Sequence, residues 1–271
     1  MSTSPAYPTG SELGPVVFVH GSLSSSRVWR PYAKALGSRE TIAVDLPGYG
    51  CASAPSSSTY RLSDAAAAIR TSLDHRSAPA DIVAHSFGGA VALRYALENP
   101  ARVSSLTLIE PSWFGVLSDL GEPGRLALRA IESVARGFTA WDPDQDRLFA
   151  MARFVDYWNG RHAWRELAVD RQETLALKSD QVRRDFEAIF AERLSLAAFR
   201  KFFVPTLIVT GTTSPAAALL VAQGLARAAP RACLVSVAGA GHTLPMTHDA
   251  DLTQILCARL EVDASPTLMA A

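Results

Sequence analysis

Short apolar runs recur through the first and last thirds of the chain and predict the strands of a sheet. Each run is five to eight residues long, and most of its positions are apolar rather than every second one. Continuous runs of this kind are typical of strands that are buried on both faces. The runs occupy residues 16–20, 41–45, 81–85, 103–110, 206–210 and 233–237.

Helix signals separate these runs. Ser63 and Asp64 precede an alanine-rich run that reaches Leu73, and segments 88–99 and 215–229 both end at a proline. These are common signals for the start and the end of a helix. Because strand and helix alternate, we expect a parallel sheet that is covered by helices on both faces, which is the α/β class.

Residues 112–200 break this alternation. They contain no strand pattern, only helix-like stretches punctuated by glycine and proline, and 12 of the chain's 22 aromatic residues lie between Pro111 and Arg200. We interpret this segment as a helical cap, or lid, over a pocket, with residues 1–111 and 201–271 forming the core domain. A small helical core that needs its own hydrophobic residues is the alternative explanation for the aromatic density.

The composition limits the classes of partner. The chain has 271 residues with 26 basic and 26 acidic side chains, so neither nucleic acid nor an anionic membrane surface is indicated. No secretory signal is evident, and the longest uncharged stretch, residues 202–226, is interrupted by proline and glycine. We therefore expect a cytoplasmic protein that does not span a membrane. Three scattered cysteines without a CxxC pair indicate unpaired, buried thiols.

The strongest chemical signal is a short motif between a predicted strand and a predicted helix. Small residues stand two positions on either side of Ser86, which allows the chain to turn sharply and expose the hydroxyl of that serine. The start of the helix also places backbone N–H groups beside Ser86, where they favour an oxyanion. This pattern is typical of a nucleophile elbow. The motif is Ala84-His85-Ser86-Phe87-Gly88-Gly89.

Three further motifs occur in a fixed order around the elbow. They are Val17-Phe18-Val19-His20-Gly21-Ser22, Asp45-Leu46-Pro47-Gly48-Tyr49-Gly50 and Gly239-Ala240-Gly241-His242. Together the four motifs resemble the α/β-hydrolase family over about residues 15–260. The resemblance implies an α/β-hydrolase fold, with a mostly parallel sheet flanked by helices and a helical cap. It also implies that the N–H groups of Ser22 and Phe87 form an oxyanion hole, and that His242 is the base that takes the proton of Ser86.

The carboxylate that should orient this histidine is not at its usual position. Most members of the family carry it in a Gly-x-x-Asp turn after the strand at 206–210, but here the turn ends in Ser214, and residues 201–248 contain no Asp or Glu. The triad is therefore either incomplete or relocated. The candidate for relocation is Glu110, at the end of the strand next to the nucleophile strand.

A second resemblance supports Glu110. Some haloalkane dehalogenases, which share this fold, carry a glutamate at the end of this strand, and Leu108-Ile109-Glu110-Pro111 is similar to that pattern. The resemblance implies that Glu110 orients His242. It does not extend to the dehalogenase reaction, because those enzymes use an Asp nucleophile. If Glu110 does not fill the role, Asp45 and Asp249 are the remaining candidates.

The substrate is constrained only by the character of the cap. Its apolar, aromatic-rich composition without a cationic cluster favours a small-molecule substrate, namely a carboxylic ester of small to medium apolar molecules. Serine esterase chemistry through an acyl-enzyme on Ser86 is the predicted reaction. The side chains expected to border the substrate are Leu23, Trp113, Phe114 and Trp158.

Other functions remain open from the sequence. The same residues would serve for a thioester, a lactone or a carbon–carbon bond in a diketone. A non-catalytic small-ligand-binding protein on this fold is the alternative from another class, and the missing acid at Ser214 is the feature that favours it. Neither a phosphate loop nor a metal-ligand motif such as HExxH is present, so no metal or organic cofactor is expected. The pattern does not indicate an oligomeric state.

Overall fold

Six strands form one sheet in the computed structural model, which describes residues 13–57, 59–138 and 146–261. The strands are β1 (Val16–Val19), β2 (Thr41–Val44), β3 (Ala80–His85), β4 (Val103–Ile109), β5 (Thr206–Gly211) and β6 (Ala232–Val237). Their order across the sheet is β2-β1-β3-β4-β5-β6, and all five neighbouring pairs are parallel. All six predicted runs are therefore strands, and the predicted α/β class is confirmed.

The four inner strands of the sheet are buried on both faces, as their continuous apolar runs predict, whereas the edge strands β2 and β6 are partly exposed. Neighbouring residues of one strand point to opposite faces, and each face has its own apolar cluster. Ile82 and Val83 on β3 fall into different clusters, and so do Ile208 and Val209 on β5. Because alternate residues of a strand are buried in separate clusters, helices must cover both faces of the sheet.

Helices connect the strands. They are α1 (Arg30–Ala35), α2 (Leu62–Ala65), α3 (Ala67–Ser72), α4 (Ser86–Glu98), α5 (Gly121–Arg136), α6 (Asp146–Asn159), α7 (Val169–Ala176), α8 (Ser179–Ala191), α9 (Leu196–Phe199), α10 (Ala216–Ala228), α11 (Leu244–Thr247) and α12 (Asp249–Glu261). Short 3-10 turns add Ser26–Trp29, Pro100–Arg102, Phe114–Asp119 and Ala163–Glu166. The predicted helix starts and ends agree with α2 to α4 and with α10.

The segment between β4 and β5 is helical, as its pattern predicted. Helices α5 to α9 lie there, and the described residues of this segment form no strand. Helix α8 contacts both α4 and the 3-10 turn Phe114–Asp119, so the segment packs against the end of the sheet that carries the elbow. The division of the chain into core and cap domains stays a prediction.

The expectation of three buried thiols was wrong. Cys51 and Cys233 are exposed and Cys257 is partly buried. Cys51 lies in the loop after β2. Cys233 lies on β6, the last strand of the sheet that the described residues form. Within the three described ranges, no helix combines the length and the hydropathy that crossing a membrane requires.

Candidate active site

The predicted site residues meet at one edge of the sheet. Ser22 follows β1, Ser86 follows β3, Glu110 follows β4, and His242 lies in the loop after β6. Because all six strands are parallel, their carboxyl ends share this edge, which is where α/β sheets carry their ligand sites. The strand order places β3 beside both β1 and β4, so Ser86 is flanked by Ser22 and Glu110.

Ser86 stands on a sharp turn that only close backbone packing allows. Its φ of 53° lies in the left-handed region, which is uncommon for a residue other than glycine. The turn is held by the backbone N–H of Ser112, which donates to the carbonyl of Ser86 at 3.1 Å. Glycine is required at position 88, because a Cβ on Gly88 would lie 2.2 Å from the carbonyl oxygen of His20. The elbow therefore depends on the loop after β1 as well as on its own residues.

A continuous chain of hydrogen bonds joins Ser86, His242 and Glu110. The distance from His242 Nε2 to Ser86 Oγ is 2.9 Å, and the distance from His242 Nδ1 to Glu110 Oε2 is 2.7 Å. Since a carboxylate accepts, Nδ1–H is the donor, which leaves Nε2 free to accept the serine hydroxyl. All three side chains are buried. This is the arrangement in which a base can take a proton from a nucleophile while an acid orients the base.

Glu110 is prepared as a carboxylate by its surroundings. Its Oε1 accepts the backbone N–H of Gly211 at 2.7 Å and a short hydrogen bond from the hydroxyl of Ser214. Burial acts to raise the pKa of Glu110, but the hydrogen bond and charge of His242, followed by the donors Ser214 and Gly211, outweigh it and lower that pKa. The residue in the family's usual acid position, Ser214, thus donates to the carboxylate that comes from the neighbouring strand. Sequence reasoning missed this contact.

Two further histidines tie the loops of the site together. His85 Nε2–H donates to the carbonyl of His242 at 2.9 Å, and His20 Nε2 accepts the N–H of Leu46 at 3.0 Å. Burial, followed by the neighbouring His242, lowers the pKa of His85 to about 3, and burial also lowers the pKa of His20. Both rings are therefore neutral near pH 7, which suits a role in holding backbone rather than in moving protons.

An aromatic side chain from the helical segment covers the histidine. Trp158 on α6 stacks on His242 with ring centroids 3.8 Å apart and an interplanar angle of 24°. Trp158 also stacks on Phe114 with a centroid distance of 6.3 Å. Two of the residues expected to border the substrate are thus brought to the site together.

Two cavities meet at Ser86. The larger, about 690 Å³, is bordered by Leu23, Trp158 and His242 among others. The smaller, about 10 Å³, is bordered by Phe87 and Phe114 among others. Ser22 and Ser86 border both.

The structure does not bring Trp113 to either cavity. Its side chain is 2% exposed and packs edge-on against Phe199 with ring centroids 5.8 Å apart. Ser112 and Phe114, on either side of it, border the smaller cavity, but the side chain of Trp113 lies in the apolar core.

A buried carboxyl group beside the site was missed from the sequence. Asp185 on α8 is 1% exposed and borders the smaller cavity. It accepts hydrogen bonds from Ser22 Oγ at 2.5 Å, Tyr49 OH at 2.6 Å and Gln181 Nε2 at 2.9 Å. Burial raises the pKa of Asp185 to about 7, and the donors Ser22, Tyr49 and Gln181 partly oppose that rise. No sequence signal marked this residue, since it lies in an ordinary helical pattern far along the chain from Ser22.

The oxyanion donors and the absence of a cofactor stay predictions. Phe87 is the second residue of α4, so its N–H belongs to the first turn and has no acceptor within the helix. Ser22 borders the same cavity through the loop after β1. Among the described residues, no group of three or more His, Cys, Asp or Glu side chains could hold a metal ion.

Comparisons of the sequence with known proteins all point to one family. The sequence profile of the Alpha/beta hydrolase family matches residues 16–254. Probable lysophospholipase BODYGUARD 1 of Arabidopsis thaliana is 37% identical over 109 residues, which are 37% of this chain and 23% of that protein. Lipase LipV of Mycobacterium tuberculosis is 33% identical over 98 residues, which are 36% of this chain and 37% of that protein. The chain thus matches well under half the length of these relatives.

Solved structures share the fold over nearly the whole chain. A hydrolase from Pseudomonas aeruginosa has a TM-score of 0.73 at 20% identity, with 93% of this chain and 92% of that chain covered. The esterase EaEST from Exiguobacterium antarcticum has a TM-score of 0.69 at 18% identity, with 92% of this chain and 93% of that chain covered. The architecture, the order of the motifs and a family match over most of its length agree that this chain belongs to the α/β hydrolase family.

Proposed function

We propose that this chain is a serine hydrolase that cleaves carboxylic esters of small to medium apolar molecules through an acyl-enzyme on Ser86. The observation that carries the proposal is the buried hydrogen-bond chain from Ser86 through His242 to Glu110. Relatives named as a lipase, a lysophospholipase and an esterase support the same class of chemistry.

The geometry of the hydrogen-bond chain supports the following proposed reaction. Ser86 Oγ attacks the carbonyl carbon of the ester while its proton passes to His242 Nε2. Glu110 stabilises the resulting imidazolium, and the N–H groups of Ser22 and Phe87 hold the oxyanion. The bond to the alcohol oxygen then breaks, and His242 returns the proton to the leaving alcohol.

A second half of the reaction frees the enzyme. Water attacks the acyl carbon and gives its proton to His242 Nε2. The bond from the acyl carbon to Ser86 Oγ breaks, the carboxylic acid leaves, and the proton returns to Ser86. No other reactant is needed, because the acid and the alcohol together contain the atoms of the ester and one water.

The helical segment at residues 112–200 would act as the cap of this site. Helices α6, α7 and α8 each contribute side chains to the two cavities, among them Trp158, Leu175 and Ile189. These walls are mostly apolar and aromatic, which favours an apolar substrate held with few polar contacts.

Hydrolysis of p-nitrophenyl esters in buffer with a chelator tests the proposal. We expect turnover by the wild type and a loss of about 10³-fold or more in Ser86→Ala, because the nucleophile is removed. Ser72→Ala on α3 is the matched control and should retain wild-type turnover. Equal turnover by Ser86→Ala would refute the proposal. Thioesters, lactones and a diketone belong in the same panel, because the same nucleophile would attack them.

A further inference from the structure

The two cavities at Ser86 differ in their relation to His242. His242 borders the larger cavity, and it is not among the side chains that border the smaller one. Ser86 and Ser22 belong to both, so the attacked carbonyl carbon must sit where the cavities meet. One part of the ester therefore extends into each cavity.

The chemistry decides which part extends into which cavity. The alcohol oxygen must receive its proton from His242 Nε2, so the alcohol has to leave on the side that His242 borders. The acyl part points away from the leaving group and enters the cavity beside Phe87, the second expected oxyanion donor. We infer that the larger cavity takes the alcohol and the smaller cavity takes the acyl group, so that the preferred substrates are short-acyl esters of large apolar alcohols. This inference rests on the proposed serine hydrolase function.

The size of the acyl side limits the chain that it accepts. Its volume of about 10 Å³ is close to the space that one water molecule needs, which matches the methyl group of an acetyl ester. Its walls include Phe114, Val182, Phe186 and Ile189, which are all 5% exposed or less. Close-packed side chains of this kind do not move apart without cost, so each additional methylene group meets resistance.

The alcohol side has room for a much larger group. Its volume of about 690 Å³ lies within the range of small-molecule sites, roughly 300 to 1,000 Å³. Aliphatic side chains line it, including Leu23, Leu167, Leu175 and Met246. Glu166 and Arg171 also border it, and both side chains are exposed to solvent. An alkyl or aryl alcohol fits this lining.

Two isomeric esters test the assignment with the wild-type enzyme. Octyl acetate and ethyl octanoate have the same atoms and similar hydrophobicity, but they place the long chain on opposite sides of the carbonyl. We expect kcat/KM for octyl acetate to be at least about tenfold higher. Equal values, or a preference for ethyl octanoate, would overturn the assignment of the two cavities.

A matched pair of variants links the preference to the cavities. Ile189→Ala on α8 enlarges the acyl side, and Leu175→Ala on α7 enlarges the alcohol side by a similar volume. We expect Ile189→Ala to raise kcat/KM for ethyl octanoate relative to octyl acetate at least fivefold, and Leu175→Ala to leave that ratio within twofold. If Leu175→Ala raised this ratio and Ile189→Ala did not, the assignment of the two cavities would be reversed.

Two controls keep the outcome decisive. Thermal melts show whether Ile189→Ala is folded, and Ile189→Val, which removes one methylene, replaces it if it is not. Ser86→Ala is assayed with both esters. Ester turnover that survives in Ser86→Ala refutes the serine mechanism and the inference with it. Turnover that depends on Ser86 but shows no isomer preference refutes the inference alone.

Discussion

The substitution Glu110→Gln keeps the size of the side chain and removes one hydrogen-bond acceptor from the centre of the site. In the wild type, Oε1 accepts the N–H of Gly211 and the hydroxyl of Ser214, and Oε2 accepts Nδ1–H of His242. A glutamine has one oxygen, so its NH₂ group must face one of these two sides.

The two orientations of the glutamine are unequal. If the NH₂ faces Gly211, it meets a backbone N–H that cannot accept, and the unsatisfied buried donors cost about 1–3 kcal/mol. If it faces His242, it donates to Nδ1 and forces the histidine proton onto Nε2. That tautomer donates to Ser86 Oγ and cannot take its proton. The second orientation is favoured, so the histidine is held in the inactive form.

We therefore expect kcat to fall by about 10³ to 10⁴-fold, which corresponds to about 4–5.5 kcal/mol of transition-state stabilisation. The assay is steady-state hydrolysis of the best ester by protein whose circular dichroism spectrum matches the wild type. Glu192→Gln is the matched control. Glu192 forms an ion pair with Arg94, with a distance of 3.2 Å between the charged groups, and it is not part of the hydrogen-bond chain. A kcat within tenfold of the wild type would refute the role of Glu110.

A rescue experiment tests the relocation itself. Adding Ser214→Asp to Glu110→Gln places a carboxylate in the loop where most family members carry it. The aspartate is expected to recover part of the lost turnover, because position 214 already lies within hydrogen-bond reach of the side chain at position 110. In the wild-type background, the same Ser214→Asp change should lower turnover, since two buried carboxylates would then repel each other.

Three more substitutions test other parts of the site. Because burial raises the pKa of Asp185 to about 7, the native state holds this proton more tightly than the unfolded chain, and the group's contribution to the free energy of unfolding falls as pH rises from about 4 to 7. The stability of Asp185→Asn relative to the wild type, from urea unfolding, should thus increase with pH across this window. Gly88→Ala places a Cβ 2.2 Å from the carbonyl oxygen of His20 and should destabilise the protein by about 1–3 kcal/mol in a thermal melt. Trp158→Leu removes the ring that stacks on His242 and that would stabilise the imidazolium formed in the proposed reaction, and it should lower kcat roughly tenfold.

Each of these has its own control and contrary outcome. A stability difference for Asp185→Asn that is constant or falls with pH would contradict the raised pKa. Gly224→Ala on α10 is the control for Gly88→Ala, because its Cβ would meet only leucine side chains at 3.3 Å or more; equal losses in the two variants would count against the close approach. Trp158→Phe keeps an aromatic ring, so its kcat should stay close to that of the wild type, whereas the kcat of Trp158→Leu should fall. Equal kcat values for these two variants would argue against a role for stacking.

Much of the fold could be predicted because it depends on short-range patterns. The four inner strands, β1, β3, β4 and β5, are buried on both faces, so each is a nearly continuous apolar run. The predicted ends of all six strands agree with the observed ones to within a residue or two. The elbow at Ser86 is equally local, since the strand, the turn residues and the helix start stand together in about ten positions of sequence.

The site was predictable only in part. Ser86 and His242 were found from motifs that resemble a family. Residues 201–248 hold no acid, and Glu110 was chosen because it ends the strand next to the nucleophile strand. The structure brings all three into one hydrogen-bond chain, while their catalytic roles stay predictions. Trp113 was placed at the substrate from connectivity alone, and it lies in the core because a residue's direction depends on the turn that precedes it.

The sequence by itself determined the elements of this protein and the residue types that carry its chemistry, since hydrophobic period, turn residues and motif spacing are all encoded over short distances. Tertiary structure alone decided that Ser214 holds Glu110, that Asp185 accepts from Ser22, and that Trp158 covers His242. It also decided the unequal sizes of the two cavities. These contacts join residues from separate elements, which no pattern along the chain specifies. The contact of Ser214 with Glu110 follows from the pairing of β4 with β5. The contacts of Asp185 and Trp158 follow from how α8 and α6 pack over the sheet edge.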